Sequence, residues 1–180
     1  MNWNLVRVDE VAATPWRNGG GVTRELLAWP GADDWRVRMS VAEVAHDGPF
    51  SRFDGVQRWF AVLRGAGVRL RLNGATHDLT QASAPFQFDG GAAIDCELID
   101  GATQDFNLML RGAVGRMARV QGTHSAGCRA GQLLAIYTGH AGARLAGQAI
   151  GREVLAWRIL DADSALHIES QDALWMEITP

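Results

Sequence analysis

The sequence predicts an all-β protein made of two similar antiparallel units. Three observations lead there: short strand-like runs punctuated by turn residues, an internal repeat, and weak helical periodicity throughout.

The strands carry the first observation. Runs rich in Val, Leu, Trp and Phe are separated by turns, and the chain holds 21 glycines. Trp35 to Val44 alternates. Trp35, Val37, Met39 and Val41 share one face; Arg36, Arg38, Ser40 and Ala42 share the other. Arg58 to Leu63 is a short apolar run. Arg64-Gly65-Ala66-Gly67 then turns into Val68 to Leu72, and Asn73-Gly74 is a hairpin signal. Ile94 to Ile99 and Asp105 to Leu110 read as further strands. The best helical candidate is a short piece near Gln81 to Ala84.

The repeat is the second. Phe60-Ala61-Val62-Leu63-Arg64-Gly65 reads like Leu134-Ala135-Ile136-Tyr137-Thr138-Gly139, 74 residues on. Both are followed by a further glycine, Gly67 or Gly142, and then by Arg69-Leu70 or Arg144-Leu145. A later match pairs Asn107-Leu108-Met109 with Leu174-Trp175-Met176. Two such units suggest two antiparallel barrels or sandwiches joined side by side. The halves are 1–112 and 113–180, with the joint in the stretch from Gly112 to Gly131. Residues 1–59 form a long lead into the first repeat, so function is expected in the first half.

Composition narrows the chemistry. With 180 residues, 47% of them hydrophobic and 21% charged, the chain is ordinary globular material. Net charge is −3, which speaks against a nucleic-acid footprint. All 17 basic residues are arginine. Without lysine there is no Schiff base, no pyridoxal-phosphate anchor and no P-loop. Any side-chain cation that holds an anion is Arg or His, and Arg grips a carboxylate with a planar fork. Cys96 and Cys128 are expected as buried, reduced thiols. Asn2, Asn4, Arg7, Asp9 and Glu10 interrupt the N-terminus where a signal peptide needs an apolar run. No stretch approaches the roughly 20 apolar residues of a membrane span. The expected location is the cytoplasm, away from membranes.

Four constellations could carry function. The densest runs from Thr14 to Glu25 and includes Trp16, Arg17, Asn18, three consecutive glycines, Thr23 and Glu25. Glycines let backbone approach a ligand, and the flanking residues offer stacking, anion binding and hydrogen bonds. It lacks the G-x-G-x-x-G spacing of a nucleotide loop. The second is Arg38 with Ser40, lining a polar cavity if inward and merely solvated if outward; Val37, Met39 and Val41 have the better claim to the core. The third is Asp105, Asn107 and Met109, alternate residues of one strand, fitting either a pocket wall or an exposed edge. The fourth is Asp47 to Arg58, where Phe50 and Phe53 either wall a cavity or pack a connecting loop, and Arg58 leads into a strand. The five histidines, His46, His77, His124, His140 and His167, show no H-x-H or H-x-x-x-H spacing, and no G-x-S-x-G occurs. Neither a metal nor a cofactor is expected.

These motifs resemble the HutD/Ves family. The resemblance rests on Pro15-Trp16-Arg17-Asn18-Gly19-Gly20-Gly21-Val22-Thr23-Arg24-Glu25, on Arg38-Met39-Ser40-Val41-Ala42, on Gly48-Pro49-Phe50-Ser51-x-Phe53-x-Gly55-x-x-Arg58, and on Asp105-Phe106-Asn107-Leu108-Met109. It is specific over residues 1–112 and general beyond, with the HutD branch nearer. It implies a bicupin: two cupin-like, RmlC-like jelly-roll barrels. The two-His-plus-Glu pattern of metal cupins cannot be written onto either half. The resemblance implies a protein encoded with histidine-utilisation genes, without an established catalytic activity. It would bind urocanate or N-formylglutamate and limit expression of the pathway. The motifs carry over onto Trp16, Arg17, Asn18, Thr23, Glu25, Arg38, Ser40, Phe50, Ser51, Arg58, Asp105, Asn107 and Met109 as ligand-binding residues. Asp54 stands where the family often has Pro. By analogy with other bicupins, a homodimer is open. A binding protein for a small carboxylate is the favoured reading. The alternative is a metal-free isomerase, lyase or amidohydrolase using Glu25 or Asp105 for proton transfer.

Overall fold

A computed structural model describes residues 2–180. Among them there is no α-helix; one short 3-10 turn, Val8–Glu10, is the sole helical element described. The piece near Gln81 to Ala84 is a turn, closed by Ser83 N–H donating to Thr80 O at 3.0 Å and Thr80 N–H donating to the Ser83 hydroxyl at 2.9 Å. Pro85 disfavours the helical region for Ala84 before it, so the four-residue piece does not continue as a helix.

The chain forms two compact units. One is residues 12–112. The other is residues 113–180 together with 2–11, which the sequence reading had placed in the first half. The reason is local: β1 (Asn4–Arg7) pairs with β16 (Val154–Ile159), and Val8 N–H donates to Glu153 O.

In the unit of residues 12–112, β2 (Thr14–Pro15), β3 (Gly21–Trp29), β4 (Val37–Val44), β6 (Val56–Arg64), β9 (Phe86–Asp89) and β11 (Thr103–Arg111) make a six-stranded antiparallel sheet. Its order is β2-β3-β4-β11-β6-β9. A four-stranded sheet holds β5 (Gly48–Pro49), β10 (Ile94–Leu98), β7 (Val68–Leu72) and β8 (Ala75–Leu79), in the order β5-β10-β7-β8. Asn73 and Gly74 both take positive φ, 51° and 79°, as a type I′ hairpin requires. Val44, Phe60 and Val62 of the larger sheet share a core with Val68, Leu70, Ile94 and Cys96 of the smaller. Apolar side chains therefore fill one part of the space between the sheets. The other face of the larger sheet is closed to solvent: Val37 and Met39 of β4 and Phe106 and Leu108 of β11 are 0% exposed. That resolves the ambiguity of β4. Its apolar set is core, and its Arg38–Ser40 set faces the space between the sheets.

The other unit is a seven-stranded sheet. Its path is β1-β16-β13 (Leu133–Thr138)-β17 (Ser164–Thr179)-β14 (Ala143–Leu145)-β15 (Gln148–Ile150), and β12 (Val114–Cys128) also pairs with β17. The repeat from Phe60 and the repeat from Leu134 fall on β6 and β13. The second sequence match is off its structural place. Asn107 lies opposite Phe60, whereas Leu134 lies opposite Glu177 and not Leu174. Leu174 sits on the opposite face of its strand, and a one-residue change of face is what period-two patterns resolve worst.

The hairpin joining β2 to β3 is held at its base. Trp16 N–H donates to Gly21 O at 2.9 Å. Gly21 lies so close to β4 that a Cβ there would stand 2.2 Å from the Glu43 carbonyl oxygen. Gly21→Ala is therefore expected to destabilise the protein by about 1–3 kcal/mol, the usual range for overpacking. Gly48→Ala, with nothing within 4 Å of its new Cβ, is expected to change stability by less than about 0.5 kcal/mol. Urea unfolding of the two variants reads the difference.

Candidate functional site

The ladder of the six-stranded sheet places the polar side chains in rows. One row runs Ala28, Arg38, Met109, Arg58, Phe88 across β3, β4, β11, β6 and β9. The next runs Glu25, Ser40, Asn107, Phe60, Phe86, and the one below holds Thr23, Ala42, Asp105 and Val62. Residues that pair on neighbouring strands point to one face, so these rows share a surface. A β-bulge at Leu26 separates Glu25 from Leu27, and two consecutive buried leucines mark it.

Residues of all three rows line a cavity of about 570 Å³. Twelve of the thirteen expected residues line it: Trp16, Arg17, Asn18, Thr23, Glu25, Arg38, Ser40, Phe50, Ser51, Arg58, Asn107 and Met109. Asp105 does not. It shares a row with Thr23 and Ala42, which do line the cavity, but its own side chain is fully buried between Ala42 and Val62. Sequence reading missed Phe60 and Phe53 as site residues, although Phe53 was noted as a wall candidate. Phe60 could have been found by stepping two residues along the strand from Arg58.

Arg58 is the most constrained of these side chains. It is 8% exposed. One terminal nitrogen donates to Asn107 Oδ1 at 2.7 Å, and the other donates to the Ser51 carbonyl at 3.3 Å. Nε is buried without a partner. The guanidinium carbon lies 5.0 Å from the ring of Phe88, 5.4 Å from Phe50 and 5.7 Å from Phe53. Among the described residues no carboxylate pairs with it. Burial, with the like charge of Arg38 nearby, pulls this guanidinium down to about 10. It stays charged at neutral pH.

The other cations differ. Arg38 is ion-paired through Nε with Glu25, and both are partly exposed. Its guanidinium also lies 5.9 Å from the Trp35 ring. Arg17 stands exposed on the hairpin at the cavity mouth. That hairpin is braced by Trp16 Nε1 donating to Thr23 Oγ1 at 2.7 Å, and by Gly20 N–H donating to Asn18 Oδ1 at 2.9 Å. The site is thus a box with aromatic walls, a buried cation in its floor, and amide and hydroxyl groups from Asn107 and Ser40 between that cation and a carboxylate. No group of three or more His, Cys, Asp or Glu side chains among the described residues is placed to hold a metal ion.

Fold and site define a class: an all-β, cupin-like protein with one arginine-floored cavity in its first unit. Within that class the chain belongs to the HutD family, whose model matches residues 8–180. It is similar over nearly its whole length to HutD from Pseudomonas fluorescens SBW25. The TM-score is 0.89 at 27% identity, covering 99% of this chain and 98% of that one. A conserved protein of unknown function from Pseudomonas aeruginosa PAO1 gives a TM-score of 0.81 at 29% identity, with the same coverage. Oxalate decarboxylase from Bacillus subtilis shares the fold alone, at 8% identity and a TM-score of 0.63. In sequence, an uncharacterized 21.2 kDa protein from the hutC 3′ region of Pseudomonas putida is 37% identical over 107 residues, 58% of this chain and 56% of that protein. Protein Ves of Citrobacter koseri is 40% identical over 99 residues, 53% of this chain and 51% of that protein. These matches span little more than half the length of either relative.

Asp105 carries its own signature. Thr103 Oγ1 donates to Asp105 Oδ2 at 2.7 Å, while Oδ1 is buried with no partner. Burial pushes the carboxyl up to about 7, against the smaller opposing effect of the Thr103 bond. The unfolded chain has this group near 3.9. Folding therefore favours its protonated form. That stability is fully present below about pH 4 and is lost as pH rises through about 7. Asp105→Asn, which cannot ionise, is expected to gain stability relative to the parent as pH rises from 4 to 8. Melting temperatures of the pair across that range check it; a constant difference would place the charge elsewhere.

Proposed function

We propose that the first unit is a non-catalytic receptor for a small carboxylate. The ligand is an intermediate of histidine degradation, urocanate or N-formylglutamate, and binding it limits expression of histidine-utilisation genes from the cytoplasm. The observation that carries this is Arg58, a buried cation with no carboxylate partner, in a cavity of a HutD-family chain. A buried charge left unpaired is costly, and a ligand carboxylate supplies the missing partner. Charge-assisted bonds of that kind contribute about 1.5–3 kcal/mol each. Ser40 and Asn107 orient the ligand, and Trp16, Phe50 and Phe60 cover its apolar body. The hutC neighbourhood of the Pseudomonas putida relative supports the pathway assignment. We read both units as cupin barrels, a bicupin, and a homodimer is the assembly to look for. The enzyme reading has less support. Asp105 does not line the cavity, and Glu25 is held by Arg38.

The test is isothermal titration calorimetry of metal-stripped protein against urocanate and N-formylglutamate, with glutamate and histidine as controls. Micromolar binding of one intermediate and not of the controls is expected. Arg58→Met is expected to weaken it about 10- to 150-fold, the equivalent of one charge-assisted bond. No heat from any compound would remove the histidine-pathway assignment.

A further inference from the structure

Three arginines line the cavity, but only one lining residue, Glu25, is acidic. How that single carboxylate is spent decides what the cavity accepts. Glu25 Oε2 is engaged by Arg38 Nε, and the Glu25 side chain remains 38% exposed. Arg38 is tied on a second side by the ring of Trp35. Trp35 is itself fixed: it is 7% exposed, packs with Val56 and Met109, and carries the Arg111 guanidinium 4.1 Å from its ring. Arg38 is therefore already neutralised and held, while Arg58 is not.

Glu25 and Arg58 stand on strands three ladder steps apart, β3 and β6, with β4 and β11 between them. At about 4.8 Å per step across the sheet and about 7 Å for the one-row offset along it, their backbones are about 16 Å apart. Side chains leaning into the cavity shorten that to the length of a small molecule. A ligand whose carboxylate lies on Arg58 thus reaches toward Glu25 with its other end. A second carboxylate there would face a like charge, whereas an N–H donor or a cation would meet a ready acceptor.

We infer that Glu25 sets the specificity of this site: it admits ligands with one carboxylate and a hydrogen-bond donor at the opposite end and disfavours dicarboxylates, which selects urocanate over N-formylglutamate of the two ligands proposed above. This rests on the carboxylate reading of Arg58 given above. It needs no particular metabolite.

Three probes of one planar skeleton separate the terms: 4-aminocinnamate, cinnamate and 4-carboxycinnamate. The wild-type protein is expected to bind them in that order, with at least a tenfold gap between the first and the last. Glu25→Gln removes the negative charge from a half-exposed side chain and is expected to close or reverse the gap. Arg38→Met, which leaves Glu25 unpaired, is expected to widen it. Arg58→Met is expected to weaken all three together. Equal binding of the three probes by the wild type, or an unchanged order in Glu25→Gln, overturns the role of Glu25 while leaving Arg58 as a carboxylate site. Absence of binding by all three probes overturns the carboxylate site and the selector with it.

Discussion

The structure of the site depends on a buried guanidinium that has no counter-ion. Arg58 sits in the fifth strand of a six-stranded path, between Met109 and Phe88, and among the described residues is held by neutral partners only. Asn107 accepts from it and three phenylalanine rings surround it, which suits a cation out of water better than apolar packing alone would. Everything near it serves that arrangement. Asn107 is oriented by Arg58 through its oxygen, which leaves its amide nitrogen for the cavity. The loop of Ser51 is drawn in by its carbonyl. The one carboxylate in the lining is kept at a distance by Arg38.

The second unit makes the same ladder and reaches the opposite outcome. Leu134 and Ile136 on β13 repeat Phe60 and Val62 on β6, and opposite them stand Glu177 and Trp175. Glu177 accepts from Arg116 at 2.8 and 3.2 Å and from Trp175 Nε1 at 2.7 Å. Trp175 is 1% exposed. Where the first unit leaves Arg58 without a carboxylate, the second pairs Arg116 with Glu177 and Arg158 with Asp161, and packs the Trp175 indole beneath.

Much of this was legible in the sequence. Turn chemistry and period-two runs placed β4, β6, β7, β10 and β11 to within a few residues, because Asn73-Gly74 and the Gly-x-Gly turns punctuate them directly. The motifs that resemble the HutD/Ves family hold the twelve expected residues that line the cavity. What stayed hidden was relational. Alternation in β4 could not say that both of its faces are buried, since patterning assumes one wet side. Asp105 belongs to the same motif and the same face as Asn107, and its row-mates Thr23 and Ala42 reach the cavity, yet its own side chain is fully buried. The allegiance of residues 2–11 was invisible as well, because a four-residue strand pairing 150 residues away leaves no local trace.

The bulge at Leu26 has a consequence for volume. Continued alternation from Thr23 and Glu25 would turn Leu27 and Trp29 inward. The extra residue shifts the frame, so Ala28 faces Arg38 instead. A methyl group takes the place opposite Arg38 that Leu27 would claim, and it packs against Trp35, Val56 and Met109. One inserted residue on β3 thus decides whether a leucine or an alanine crowds the strand position that carries Arg38.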